Sequence, residues 1–115
     1  MTYEGSCHCG AVELTVDGDL PSEAMSCNCS HCRRKGFLLT FVPANQVEVR
    51  GEQHLETYHF NKNAIDHLFC PTCGVEPLAR GKGPDGAATA MINLRCVPEC
   101  DLEALKIKKI DGASH

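Results

Sequence analysis

Hydrophobic and polar residues alternate along several short stretches of the chain. Over residues 12–17, valine and leucine occupy the even positions and Glu, Thr and Asp the odd ones, which predicts a strand with one buried face. Residues 101–105 are the one helix candidate, a turn or two long with Asp101 as its N-cap. Glycine-rich 81–86 is expected to close a hairpin. Alternating or continuous apolar patterns predict further strands at 37–42, 47–49, 54–60, 65–69, 75–80 and 87–95.

These short strands at regular spacing predict an all-β fold, a sandwich or barrel, formed as a single domain over residues 1–115. The apolar residues available for its core are few. Aromatic residues make up 5% of the chain, tryptophan is absent, and the 43% of hydrophobic residues includes nine cysteines. A domain this small with so thin a core is expected to need a covalent or metal staple.

The nine cysteines favour metal over disulfides as that staple. Their number is odd, which would leave one thiol unpaired in an oxidising compartment. Residues 1–5 are neither basic nor apolar, and no segment is long enough for a membrane span. We therefore expect a cytoplasmic protein with reduced, metal-bound thiolates and no membrane partner. The net charge of −4 disfavours a nucleic-acid partner.

The cysteines fall into spaced groups that suit metal binding. Two cysteines separated by one or two residues lie on a tight knuckle turn that directs both sulfurs to one ion. A tetrahedral zinc site needs two such pairs from distant parts of the chain. A CxC pair together with a CxxC pair supplies four such thiolates, and soft sulfur ligands favour zinc. Cys96 and Cys100 form a looser pair with no assigned role. The three tight groups are Cys7-x-Cys9, Cys27-x-Cys29-x-x-Cys32 and Cys70-x-x-Cys73.

The middle group has three thiolates, an odd number for a closed structural site. Three protein ligands with an open fourth position are typical of a catalytic or ligand-exchanging zinc. Two alternatives stay open at this point. Cys96, Cys100 or His31 could close the site and make it structural, or the three thiols could be metal-free and redox active.

The order of these motifs resembles the glutathione-dependent formaldehyde-activating enzyme family. The chain reads CHCG from Cys7, CNCSHCRRKG from Cys27 and HLFCPTCGV from His67, with a Tyr-x-Phe-x-x-Asn segment at 58–63 between the last two. The stretch from Ile92 to Cys96 resembles the branch of the superfamily that includes centromere protein V. The resemblance covers most of the chain, from about residue 7 to residue 96.

The resemblance implies a zinc-ribbon-like β-tent of short antiparallel strands held by two zinc ions. It implies that Cys7, Cys9, Cys70 and Cys73 bind a structural zinc. It also implies that Cys27, Cys29 and Cys32 bind a second zinc, catalytic or exchangeable, where substrate chemistry takes place. The activity it implies is that of a zinc-dependent carbon–sulfur lyase acting on S-hydroxymethylglutathione, the adduct of glutathione and formaldehyde, or on a related thiol adduct.

The residues around the middle group are compatible with that chemistry. A zinc ion keeps a coordinated thiol deprotonated at neutral pH, so the ion is expected to hold and orient the substrate thiol. Glutathione carries two carboxylates, and Arg33 and Arg34, just after the third ligand, offer bidentate contacts to them. The alternative is a solvated turn that only balances the charge of the thiolates.

The histidines are not predicted to be ligands, and two other functions compete with the enzyme. His8 and His31 lie inside knuckles, where the intervening residues point away from the metal, and His67 is expected to support the site through a hydrogen bond. The first competing function is a non-catalytic zinc module for protein interaction. The second is a thiol redox or zinc-buffering protein built on the three-cysteine group.

Overall fold

Ten strands and one short α-helix make up the fold of this computed structural model, which describes residues 1–60, 65–83 and 85–114. Asn63, the last residue of the Tyr-x-Phe-x-x-Asn segment, lies outside these ranges. The helix α1 covers Ser30–Lys35. The strands are β1 Thr2–Ser6, β2 Glu13–Asp17, β3 Glu23–Cys27, β4 Leu39–Pro43, β5 Val47–Arg50, β6 Glu56–Tyr58, β7 Asp66–Phe69, β8 Leu78–Lys82, β9 Ala88–Asn93 and β10 Lys106–Ile110.

The strands form two sheets, and the prediction of an all-β fold is confirmed. A three-stranded sheet has the order β1-β2-β5, and a seven-stranded sheet has the order β10-β3-β4-β9-β8-β7-β6. Neighbouring strands are antiparallel throughout, with one exception: β10 pairs with β3 in parallel, and Ile110 lies opposite Cys27. The last strand of the chain therefore ends beside the middle cysteine group.

The main core lies between the two sheets. The strand face predicted to be buried over residues 12–17 is buried, because Val12, Leu14 and Val16 have no exposed surface. They belong to the same buried cluster as Leu78 and Ile92 from the larger sheet. A smaller buried cluster contains Phe37, Leu39, Ala79 and Met91 with Cys32. This second cluster places the middle cysteine group against an apolar part of the larger sheet.

Some predicted element bounds differ from the structure. The helix candidate 101–105 is a single 3-10 turn, Leu102–Ala104, and Asp101 caps it by accepting from the backbone N–H of Glu103. Part of the predicted strand 54–60 is another 3-10 turn, so β6 begins only at Glu56. Within the described ranges, no helix is long and apolar enough to cross a bilayer.

Candidate metal centres and adjoining cavity

The first and third cysteine groups come together at one centre, as the pairing of a CxC with a CxxC predicts. The sulfur atoms of Cys7, Cys9, Cys70 and Cys73 all lie within 4.8 Å of one another. Sγ of Cys9 is 3.7 Å from Sγ of Cys7 and 3.7 Å from Sγ of Cys70. A tetrahedral zinc site with Zn–S bonds of about 2.3 Å has sulfur–sulfur separations of roughly 3.8 Å. The four thiols therefore fit a zinc ion, and at these separations they are not bonded to one another as disulfides.

Two similar turns hold these four sulfurs in place. The backbone N–H of Gly10 donates to the carbonyl of Cys7 at 3.3 Å, and that of Gly74 donates to the carbonyl of Cys70 at 2.7 Å. Both glycines have positive φ, 81° and 78°, a conformation that costs little energy only for glycine. The N–H of Val12 also donates to Sγ of Cys7 at 3.4 Å. Each turn thus directs its pair of sulfurs to one side.

Two thiols of the first centre, those of Cys73 and Cys9, have pKa values shifted in opposite directions. The backbone N–H groups of Cys9 and Val75 donate to the sulfur of Cys73 and lower its pKa to about 6. The N–H of Ala11 lowers the pKa of Cys9, but desolvation and the neighbouring sulfurs outweigh it and raise that pKa to about 11. Four adjacent thiolates need a cation to coexist, which is the situation a divalent metal provides.

The middle group forms a second centre at the junction of β3 and α1. Cys27 ends β3, Cys29 caps the helix, and Cys32 is a buried residue within it. Their three sulfurs lie within 4.8 Å of one another. The N–H of Cys32 donates to Sγ of Cys29 at 3.3 Å, so the sulfur takes the role that a serine or aspartate oxygen has at other helix N-termini.

The electrostatics of the second centre also suit a cation. Burial opposes ionisation of Cys29, but the N–H and thiol of Cys32 donate to its sulfur and lower its pKa. Burial and the neighbouring Cys29 and Cys27 sulfurs raise the pKa of Cys32 well above its usual range. A bound divalent ion would offset this repulsion and allow all three thiols to be thiolates. The group is therefore a fit for a metal with three protein ligands.

The C-terminal segment lies directly behind this centre, which the sequence did not indicate. The side chain of Asn28 donates to a carboxylate oxygen of Asp111 at 3.0 Å and accepts from the N–H of Ala113 at 2.9 Å. Gly112 packs so closely that a Cβ there would lie 2.4 Å from Sγ of Cys27. Glycine is therefore needed at position 112 to leave Cys27 in its position.

Gly112→Ala is expected to weaken metal binding at the second centre roughly 10- to 100-fold, the usual effect of disturbing groups that support ligands. The added methyl would displace Sγ of Cys27 without removing any ligand. Competition with a chromophoric zinc chelator measures the change. Gly18→Ala is the control, because it adds the same methyl group to a glycine outside both groups, where no heavy atom lies within 4 Å of the added Cβ. Equal zinc affinities for the two variants would contradict the prediction.

A cavity of about 360 Å³ opens beside the second centre, and all three of its cysteines line it. Its other lining is mainly apolar, and among the described residues it includes no lysine or arginine. A volume of this size is within the range of small-molecule sites. The polar lining residues are His67, Glu76 and Asn93, and the apolar side chains include Met25, Phe37, Leu39, Phe41, Met91 and Ile110.

The two arginines proposed for carboxylate recognition have different positions on α1. Arg34 lines a second, shallower cavity together with Lys35 and Tyr58, and its guanidinium donates to the carbonyl of Ser30 at 2.9 Å. Arg33 is exposed and is not among the described residues that line either cavity. The two cavities have Phe60 and Glu76 in common, so they adjoin each other.

Cys96 and Cys100 belong to neither cysteine centre. Burial raises the pKa of Cys96 to about 11, with further contributions from Cys7, Cys73 and Glu76. Two of these contributions come from the first centre, and none comes from the three cysteines of the second. Cys100 is half-buried against the main core. Within the described residues, neither thiol closes the three-cysteine group.

The fold brings together three further residues that the sequence did not group. His31, His67 and Glu76 place a nitrogen or oxygen atom each within 4.8 Å of the others. The hydrogen bond expected of His67 is absent among the described residues, where its Nδ1 is buried without a partner. Glu76 carried no signal in the sequence, because it is a single acidic residue in an irregular segment.

Comparison with known proteins agrees with the motifs. The family described as glutathione-dependent formaldehyde-activating enzyme matches residues 2–106. A Halomonas elongata protein provisionally named for that activity is 32% identical over 82 residues, which are 64% of this chain and 52% of that protein. The chain thus spans about half the length of this relative.

A solved structure of a Rhodobacter sphaeroides protein has the same fold. It superimposes with a TM-score of 0.80 at 28% identity, over 93% of this chain and 99% of the other. The match of the family over residues 2–106 includes all seven cysteines of the two centres. The chain belongs to the glutathione-dependent formaldehyde-activating enzyme family.

Proposed function

We propose that the protein is a zinc-dependent enzyme of the carbon–sulfur lyase type, acting on S-hydroxymethylglutathione or a related adduct of a thiol and an aldehyde. The observation that carries this proposal is the position of Cys27, Cys29 and Cys32, which lie together and line the cavity. Three protein ligands at the wall of a cavity leave a fourth position for a substrate atom. Family membership supports the same chemistry.

The proposed reaction is redox-neutral and needs no further reactant. In the direction of adduct formation, a carbon–sulfur bond forms between the thiol sulfur and the carbonyl carbon, and the thiol proton is transferred to the carbonyl oxygen. In the lyase direction the same bond breaks, its electron pair stays on sulfur, and the hydroxyl proton is released as the carbonyl forms. Two small molecules are thus joined or separated without any change of oxidation state.

The chain's own residues position the reactants in this proposal. Cys27, Cys29 and Cys32 hold the ion, and a zinc ion held there supplies a cationic position that keeps a substrate thiol deprotonated at neutral pH. The mainly apolar lining of the cavity offers few groups that could hold water beside the reacting atoms. Arg34, beside the adjoining cavity, is suitably placed for a carboxylate of a glutathione-like thiol. Arg33 is a second candidate for the same role.

The first cysteine centre has a separate role in the proposal. Its four cysteines, Cys7, Cys9, Cys70 and Cys73, bind a structural zinc that has no position open to substrate. All nine cysteines are unpaired, which suits a reducing compartment such as the cytoplasm. The apolar cavity at the cysteines also favours an enzyme over a module for protein interaction, which would need no such cavity.

Native mass spectrometry of the reduced protein, with and without glutathione, tests the proposal. We expect zinc at both cysteine centres and, on titration with glutathione, an adduct in which the tripeptide is bound to the zinc-loaded protein. S-methylglutathione is the matched control ligand, because it keeps both carboxylates but lacks a thiol. Equal binding of the two ligands, or of neither, would contradict a thiol-binding position at Cys27, Cys29 and Cys32.

A further inference from the structure

A third group of side chains that could bind a metal shares no residue with either cysteine centre. His31 lies in α1 between two cysteines of the second centre. His67 lies in β7, three residues before Cys70, and Glu76 follows Cys73 by three residues. Their ligand atoms all lie within 4.8 Å of one another. Each of the three thus lies within three residues of a cysteine of one of the centres.

The contacts within this group do not satisfy its polar atoms. Nδ1 of His67 is 3.4 Å from Oε2 of Glu76, and Nε2 of His31 is 3.6 Å from Oε1. These separations exceed the usual length of an N–H···O hydrogen bond. Nδ1 of His67 has no hydrogen-bond partner among the described residues, and neither has Nδ1 of His31. The side chain of His67 is only 7% exposed, so the unpartnered atom faces Glu76 in the protein interior.

The Glu76 side chain is almost fully buried, at 3% exposure. Its ion-pair partners among the described residues are the two histidines, and no lysine or arginine contacts it there. A buried carboxylate without a cation is costly, whereas one that coordinates a metal is stabilised. A cation between the three side chains would therefore neutralise Glu76 and give Nδ1 of His67 a partner.

The spacing of the ligand atoms matches that of a small divalent ion. Zinc bonds to histidine nitrogen and carboxylate oxygen are about 2.0–2.1 Å, so neighbouring ligand atoms of a tetrahedral site lie roughly 3.4 Å apart. The measured nitrogen–oxygen separations of 3.4 Å and 3.6 Å agree with this value. Two histidines and one glutamate are also a ligand set that zinc enzymes use with an open position.

Aromatic rings and a backbone contact fix the orientation of these ligands. The centroid of the His31 imidazole lies 5.6 Å from the ring centroid of Phe37, 5.5 Å from that of Tyr58 and 5.2 Å from that of Phe60. The side-chain amide of Asn93 donates to the carbonyl of Glu76 at 3.1 Å. Such supporting contacts hold ligands in the geometry that metal binding needs.

We propose that His31, His67 and Glu76 form a third site, which binds a divalent cation of the zinc class and leaves a position open to an oxygen ligand. Glu76 lines both cavities, His67 lines the apolar one and His31 the shallower one. One carboxylate and two neutral imidazoles leave such an ion with net positive charge, whereas three thiolates leave the second centre negative. The third site therefore suits water, a carboxylate or a carbonyl oxygen better than a thiol.

The proposal is independent of the activity at the cysteines, and metal counting tests it. The wild-type chain, titrated with zinc alone and measured by native mass spectrometry, is expected to bind one ion more than the cysteine centres hold. Glu76→Gln keeps the shape of the side chain and is expected to lower affinity for that ion at least about 100-fold, because losing a ligand costs more than losing its support. His67→Gln is expected to have the same effect.

Two controls and a spectrum identify the ion. Glu103→Gln and His59→Gln make the same chemical changes at exposed positions and are expected to leave the third ion bound. With cobalt in place of zinc, the third ion should add visible absorption without adding thiolate charge-transfer intensity. Absence of an additional ion in the wild type would overturn the proposal, as would wild-type affinity for it in both Glu76→Gln and His67→Gln.

Discussion

Cys7→Ser is expected to leave the domain unfolded, or without a cooperative unfolding transition, at room temperature. Cys7 is buried in the main core, and its sulfur is 3.7 Å from that of Cys9 in the first centre. Structural zinc sites in small peptides contribute on the order of 10–16 kcal/mol, whereas whole domains are stable by only about 5–15 kcal/mol. Loss of this ion therefore removes most of the stability of a chain with so small an apolar core.

Circular dichroism during urea and thermal unfolding, together with zinc counting, measures this effect. Cys100→Ser is the matched control, because Cys100 is a half-buried thiol that packs on the same core but lies outside both centres. The control should retain both zinc ions and a cooperative transition. Cooperative unfolding of Cys7→Ser with a midpoint close to that of Cys100→Ser would show that the first centre does not hold the fold together.

Cys29→Ser is expected to remove the activity while preserving the fold. Cys29 supplies one of three sulfurs at the cavity and also caps α1 by accepting from the N–H of Cys32. Serine is a good N-cap, so the helix should persist, but its hydroxyl is a poor ligand for zinc beside two thiolates. We expect kcat/KM for exchange between glutathione and formaldehyde to fall at least about 1,000-fold.

Exchange spectroscopy by proton NMR on S-hydroxymethylglutathione measures that rate, and thermal unfolding monitors the fold. Cys96→Ser is the control, since Cys96 is a half-buried thiol outside the three-cysteine group. It should keep the wild-type rate. A Cys29→Ser protein that is folded, has lost the second zinc and still exchanges formaldehyde at the wild-type rate would place the reaction elsewhere in the molecule.

Local patterns predicted the parts of the fold that depend on local sequence. The alternation over 12–17 identified β2 because its burial depends on side-chain period alone. The parallel pairing of β3 with β10 could not be predicted, because it joins segments about eighty residues apart and nothing in either segment specifies the other. The helix α1 was also missed, although a basic last turn followed by Gly36 with φ of 72° is a typical helix end.

The candidate sites also combine features that local sequence predicts with features that only the folded structure reveals. Spacing indicated which cysteines lie together within each group, because cysteines separated by one or two residues share a turn. That Cys7 and Cys9 lie next to Cys70 and Cys73 was implied by the family resemblance, and the structure places these four sulfurs together. The group of His31, His67 and Glu76 has no such signal, since its members come from a helix, a strand and a loop. Only the fold brings them within 4.8 Å of one another. The close approach of Gly112 to Cys27 was hidden for the same reason.

The parallel strand β10 also sets an order in which the molecule can be assembled during synthesis. All four cysteines of the first centre have been translated once residue 73 is complete, so they can come together before β10 is made. The second centre has its three thiols by residue 32, but Gly112, which packs against Cys27, exists only once residue 112 has been translated. Until then Cys27, Cys29 and Cys32 are a loosely held thiol cluster on the nascent chain, and metal captured there early would be held without its final support.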